Sequence, residues 1–152
     1  TESAHAEVDL KIPALIPADF IQDVPIRLQF YKRIGSASDD DGLGEIEIEM
    51  IDRFGLLPPQ VKNLFRQAQV RLKAEALGIA QITLGPQSGR IEFREKTKVD
   101  PMTLITLVQS KPNEFKLEGA TALKVIRHTV GAEQRLECIH DVLDSLGRPT
   151  HA

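Results

Sequence analysis

The apolar pattern of this chain changes period at Gly78, and that change limits the fold more than any other feature. Before Gly78, apolar residues recur every three or four positions, the spacing of helices with one buried face. After it, short segments alternate apolar and polar residues between clusters of turn formers, as half-buried strands do. A chain that is helical first and mixed afterwards belongs to the α+β class. The expected architecture is a single domain in which N-terminal helices pack with two β-hairpins and further helices.

Local signals place the elements. Residues 1–17 read as an extended N-terminal arm: Val8, Leu10 and Ile12 alternate with Asp9 and Lys11, and Pro13 and Pro17 keep the chain extended. Asp23 is placed to cap a helix with Pro25 in its first turn; its predicted core positions are Leu28, Tyr31 and Ile34, and Gly35 is its expected end. A second helix starts near Ser38, with Asp39, Asp40 and Asp41 at its positive end. Leu43, Ile46, Met50 and Phe54 are its predicted core stripe, and Gly55 its left-handed cap. Pro58 and Pro59 open a third helix carrying Val61, Leu64, Phe65, Ala68 and Leu72. Ile82 and Leu84, the turn Gly85-Pro86-Gln87-Ser88-Gly89, then Ile91 and Phe93 predict a hairpin. Asp100-Pro101 opens a helix with Leu104, Ile105 and Val108. Phe115, Leu117, the Glu118-Gly119 turn, Leu123 and Val125 predict a second hairpin. A last helix uses Leu136, Ile139, Leu143 and Leu146 and closes at Gly147. The body of the domain is thus expected over 18–147, followed by a tail at 148–152.

Composition narrows the function classes. The chain has 152 residues, 41% hydrophobic and 27% charged, with a formal net charge of −3. These fractions are ordinary for a globular domain, and no apolar run approaches the roughly 20 residues of a membrane helix. Binders of nucleic acid usually show a basic surplus or stripe and often stack bases on aromatic rings; here the balance is acidic, with no Trp and one Tyr. The single cysteine, Cys138, makes neither an internal disulfide nor a multi-cysteine metal site, and fits a reducing cytoplasm. A polar start without Met reads as a piece of a longer polypeptide.

Catalytic, cofactor and metal motifs are not found. In a calcium loop starting at Asp39, Gly44 would stand correctly at the sixth position, but Leu43 and Met50 would occupy ligand positions. Gly85 and Gly89 bracket three residues and are followed by Arg90 and Ile91, which is not a phosphate-binding loop. Cys138 and His140 are two apart and point to different sides of a helix, whereas His140 and Asp144 are four apart and share a face. The expectation is a non-enzymatic chain with no cofactor, no metal and no membrane contact.

Two charged faces remain. Lys62, Arg66 and Lys73 run along the outer side of the third helix and are the candidate contacts for phosphates or for a polymerase. On the second helix Glu45, Glu49 and Asp52 are spaced by four and three and stack on one side, with Arg53 four after Glu49. Three like charges in one row repel by a few tenths of a kcal/mol per pair, so the row is the candidate surface for a basic partner.

The segment Glu49-Met50-Ile51-Asp52-Arg53-Phe54-Gly55-Leu56-Leu57-Pro58 resembles the E-L-I-D-R-F-G-L-L-P motif in the C-terminal domain of the bacterial transcription-repair coupling factors. Further similarity lies in the runs Val8 to Pro17 and Arg27 to Ile34, in Leu77-Gly78-Ile79, and in Gly89 to Phe93; it spans about 8–146 and is strongest over 8–93. What the resemblance implies is specific. Full-length members are ATP-dependent DNA translocases that remove stalled RNA polymerase from lesions and recruit nucleotide-excision repair, with the motor outside this segment. The C-terminal domain is a regulatory domain that folds against an N-terminal module similar to the repair protein UvrB and hides the surface that UvrA recognises. By this resemblance Glu49, Asp52 and Arg53, with Glu45 beside them, form the intramolecular interface. UvrA and RNA polymerase are then indirect partners, and the segment itself is not expected to contact nucleic acid. One departure is the pair Gly42 and Gly44, which replaces helix-favouring residues and is expected to delay the start of the second helix.

Overall fold

The structure, a computed structural model, describes residues 5–148. Among these residues, five helices and a five-stranded mixed sheet confirm the α+β class. The chain divides into two compact units, one formed by Ile12–Leu72 and the other by the residues up to Lys11 together with those from Lys73 on.

The first unit is helical. Helix α1 (Val24–Ser36) begins where the Asp23 carboxylate accepts the backbone N–H of Ile26 at 3.1 Å. Its buried residues are Phe30 and Ile34, four apart. Leu28, expected in the core, is 61% exposed. The stripe follows a spacing of four from Ile26, and Leu28 lies off it; Gly35 falls inside the last turn, not beyond it. Helix α2 (Asp40–Phe54) starts at the Asp39 cap, whose side chain accepts from Gly42 N–H at 2.7 Å. The two glycines therefore do not delay it: the cap and the carboxylates of Asp40 and Asp41 at the positive helix end offset their cost of up to about 1 kcal/mol each. Leu43, Ile46 and Met50 face the core as expected. Phe54 is only partly buried, because it closes the edge of the cluster and does not sit at its centre. Helix α3 (Pro59–Leu77) contributes Val61, Phe65 and Ala68 to the same core.

The second unit is built on the sheet. Strand β1 (Glu7–Asp9) pairs in parallel with β2 (Ile79–Leu84), so the alternation expected over 8–12 forms a sheet strand only at its start, and the chain leaves the sheet before Leu10. Strand β3 (Ser88–Phe93) pairs antiparallel with β2 and with β5 (Ala122–Ile126), and β4 (Phe115–Glu118) closes the far edge. The strand order is β1-β2-β3-β5-β4, which contains both expected hairpins. Gly89 faces Leu84 in the β2–β3 ladder so closely that a Cβ would stand 2.2 Å from the Thr83 carbonyl oxygen. Helix α4 (Pro101–Ser110) is capped by Asp100, and helix α5 (Gly131–Leu146) buries Leu136, Ile139, Val142, Leu143 and Leu146.

A buried cation ties the N-terminal strand to this unit. Arg135 on α5 is 5% exposed. Its Nε donates to Thr129 Oγ1 at 3.0 Å, and its Nη1 donates to the carbonyls of Leu10 at 3.1 Å and Lys11 at 3.0 Å. Lys11 has φ 54°, a left-handed conformation that side chains with a Cβ adopt at a cost. The arginine thus holds a turn that the local sequence would not choose.

Candidate protein-interaction site

The acidic row of α2 splits in two when the side chains are placed. Glu49 lies toward α1, where Arg33 grips it in a fork: Nη2 donates to Oε1 at 2.9 Å and Nη1 to Oε2 at 3.1 Å. Arg53, one turn further along α2, donates Nη1 to the same Oε2 at 2.9 Å. Both guanidinium groups rest on aromatic faces, Arg33 at 5.3 Å and Arg53 at 5.5 Å from the centroid of Phe30, and Arg53 at 5.1 Å from that of Phe54. Phe54 in turn meets Phe30 edge to face at 6.0 Å and Phe20 at 6.1 Å. The result is a carboxylate bridging two arginines that roof an aromatic cluster. The predicted repulsion within the row is relieved at its central member.

Asp52 and Glu45, on the same stripe, stand outside this clamp. Both are exposed, and neither has an ion-pair partner among the described residues. Between and beside them stand Ile48, 62% exposed, and Ile51, 37% exposed. The helix then ends at Gly55, with φ 100° and ψ −168°, a region essentially reserved for glycine and further from ordinary backbone than the left-handed cap expected there. Leu56 leaves that turn 89% exposed, while Leu57 behind it is buried.

Charge sets the protonation of the clamp. The fork from Arg33, and after it the bond from Arg53, hold the Glu49 carboxyl below its ordinary value, while burial opposes them weakly. A depressed carboxylate pKa means that the clamp is complete above the ordinary carboxylate range and is lost as pH falls through the depressed value. A carbon-detected NMR titration of the Glu49 carboxyl should therefore give a midpoint below that of a free glutamate. Arg33→Gln should raise the midpoint more than Arg53→Gln does; a wild-type midpoint at the free value would show that the fork does not persist in solution.

The other sequence candidates are accounted for elsewhere. Lys73 pairs with Asp144 at 3.2 Å and Arg66 is half-buried, whereas Lys62 is exposed and has no ion-pair partner among the described residues. Arg90, after the glycine turn, pairs with Glu92 at 2.9 Å and Glu118 at 3.1 Å, as a strand residue bracing its sheet. The Cys138 thiol is buried, and burial pushes its pKa up, opposite to what a nucleophile needs. No helix among the described residues is long and apolar enough to cross a membrane.

Comparison with known proteins decides the family. The model of the TRCF domain matches residues 10–104, more than half of the chain and all of the α2 face. The chain belongs to the transcription-repair-coupling factor family. The transcription-repair-coupling factor of Escherichia coli (strain K12) is 43% identical over 144 residues, covering 95% of this chain. That of Haemophilus influenzae is 40% identical over 142 residues, and that of Bacillus subtilis 31% over 152. The chain spans only 12–13% of the length of these transcription-repair-coupling factors. Its fold is that of a crystallised C-terminal domain of a transcription-repair coupling factor, with a TM-score of 0.76, 21% identity, and coverage of 93% of this chain and 91% of that one.

Four residues of the site, Arg33, Ile48, Ile51 and Leu56, escaped the sequence reading. Arg33 lies 16 positions before Glu49, beyond any helical spacing rule, and only the pairing of α1 with α2 reveals it. Ile48 did carry a signal, a large aliphatic side chain between Glu47 and Glu49 that violates binary patterning, whereas Ile51 follows Met50 and Leu56 stands between Gly55 and Leu57, so neither stood out.

Proposed function

We propose that this domain is the intramolecular regulatory lid of a transcription-repair coupling factor. It docks through α2 on the N-terminal UvrB-like module of the same polypeptide and masks the surface that UvrA recognises, so that the resting protein is autoinhibited. The motor, an ATP-dependent DNA translocase, lies outside the chain, RNA polymerase is engaged by other parts of the protein, and the setting is the bacterial cytoplasm in transcription-coupled nucleotide-excision repair. The observation that carries the reading is the outer face of α2, where two unpaired carboxylates and exposed aliphatic side chains stand on a helix already braced from behind by the Arg33–Glu49–Arg53 clamp. A surface so held loses little freedom on binding. The acidic rim is complementary to a basic module and repels nucleic acid.

The experiment is UvrA binding to the full-length protein carrying Glu49→Ala, Asp52→Ala and Arg53→Ala. Truncating a charge that is desolvated at an interface costs about 2 kcal/mol or more, because its partner is left buried and unpaired. A two-state lid then opens by a factor of about 30 or more. UvrA binding should rise accordingly with neither lesion nor polymerase present. Binding that stays at the resting level while this domain remains folded would remove α2 as the latch.

A further inference from the structure

We propose that the docking surface has an apolar centre, formed by Ile48, Ile51 and Leu56, and that the acidic residues Glu45 and Asp52 are its rim. The occupant is a hollow on the N-terminal module of the same polypeptide, floored by aliphatic or aromatic side chains and edged by Arg or Lys. The inference rests on the regulatory reading above and assigns the chemistry of its contact.

The inner face of α2 already buries Leu43, Ile46 and Met50. Ile48 and Ile51 are therefore surplus to the core, three apart, with Ile48 opposite the core stripe and Ile51 on its flank. Single exposed aliphatic residues are ordinary; three within nine positions, around two unpaired carboxylates, make a patch. Leu56 cannot trade places with a core residue, since the glycine-only turn at Gly55 turns it outward and Leu57, the next residue, fills the inward position at 7% exposure. Glu49, by contrast, has both oxygens occupied from within its own unit, and Arg53 stands over the rings of Phe30 and Phe54. These two charges brace the face more than they reach out from it. Interfaces draw most of their affinity from desolvated central side chains, with the polar rim supplying orientation and rate.

Charge selects the occupant. A second copy of this chain would set Glu45 and Asp52 against the same carboxylates across a twofold axis. A nucleic acid or an anionic membrane would meet them with like charge. A basic rim around an apolar floor satisfies both parts of the patch.

The test uses the full-length protein in the same UvrA-binding experiment, comparing Ile48→Ala/Leu56→Ala with the triple alanine variant of the charged residues. Ile48→Ala/Leu56→Ala should raise resting UvrA binding at least about tenfold, the loss expected for two central side chains. Ile48→Met/Leu56→Met, which keeps volume and polarity, should leave it at the parental level. The melting temperature should not move, because both side chains are already in water. Opening by both variants, or by Ile48→Ala/Leu56→Ala alone, supports the apolar centre. Opening by the charge variant only overturns it and leaves the regulatory reading standing. Opening by neither removes that reading, and the inference with it. Sedimentation of the present chain should give a monomer; a dimer dispersed by Ile48→Ala/Leu56→Ala would make a second copy the occupant and overturn the proposal.

Discussion

Gly89→Ala should destabilise the sheet unit by about 3 kcal/mol or more, at the upper end of what overpacking costs. The methyl group would arrive 2.2 Å from the Thr83 carbonyl oxygen and 2.8 Å from the Leu84 Cα. Both are backbone atoms of the neighbouring strand, so no rotamer change relieves the clash. β3 is hydrogen-bonded on its other side to β5, where Gly89 pairs with Val125, so the strand cannot shift away without breaking a second ladder. The measurement is the urea midpoint of Gly89→Ala against Ser88→Ala, the exposed residue next along the strand, which should stay within about 0.5 kcal/mol of the parent. A Gly89→Ala protein as stable as Ser88→Ala would mean that the start of β3 slides freely against β2, contrary to the register described.

Arg135→Met should cost about 3–5 kcal/mol and lower the melting temperature by roughly 10 °C. Methionine keeps the apolar stem but removes every donor. The carbonyls of Leu10 and Lys11 and the Thr129 hydroxyl lose a charged donor together, and each group left unsatisfied in a buried site costs about 1–3 kcal/mol. The strained Lys11 would also be released, which makes the expected loss less than the sum of three bonds. A shift of under 2 °C would show that water replaces the guanidinium at no cost, and that the turn after β1 holds itself.

The elements were legible where local chemistry decides them. Asp23, Asp39 and Asp100 cap their helices through their own side chains, and both hairpins announce themselves through alternation and turn residues. What escaped was set by distant partners. Leu28 has the right hydrophobicity for a core stripe but the wrong phase once Phe30 claims the interior. The alternation from Val8 to Ile12 reads as a strand, yet nothing local says that it stops at Asp9, that its partner is β2 or that the pairing is parallel. Arg135 resembles any surface arginine in sequence, because a buried arginine is marked only by the carbonyls brought to it. The candidate site divides the same way. The row on α2 follows from helical spacing, whereas the roles within it depend on Arg33, a residue of another helix: Glu49 is paired with Arg33 and Arg53 as a brace, while Glu45 and Asp52 are exposed outside that brace.

The position of β1 has a consequence for the order in which this chain can assemble on the ribosome. Glu7 pairs with Gln81, and the carbonyl of Leu10 waits for a guanidinium 125 residues downstream. Closing so long a loop is slow, and contacts of this separation form late in folding. The segment from Ile12 to Leu72 needs nothing beyond itself for its core and emerges whole before the partners of β1 exist. The nascent chain thus completes the helical unit, with its α2 face formed, while the first strand is still unpaired, and the sheet unit closes only when the last helix arrives.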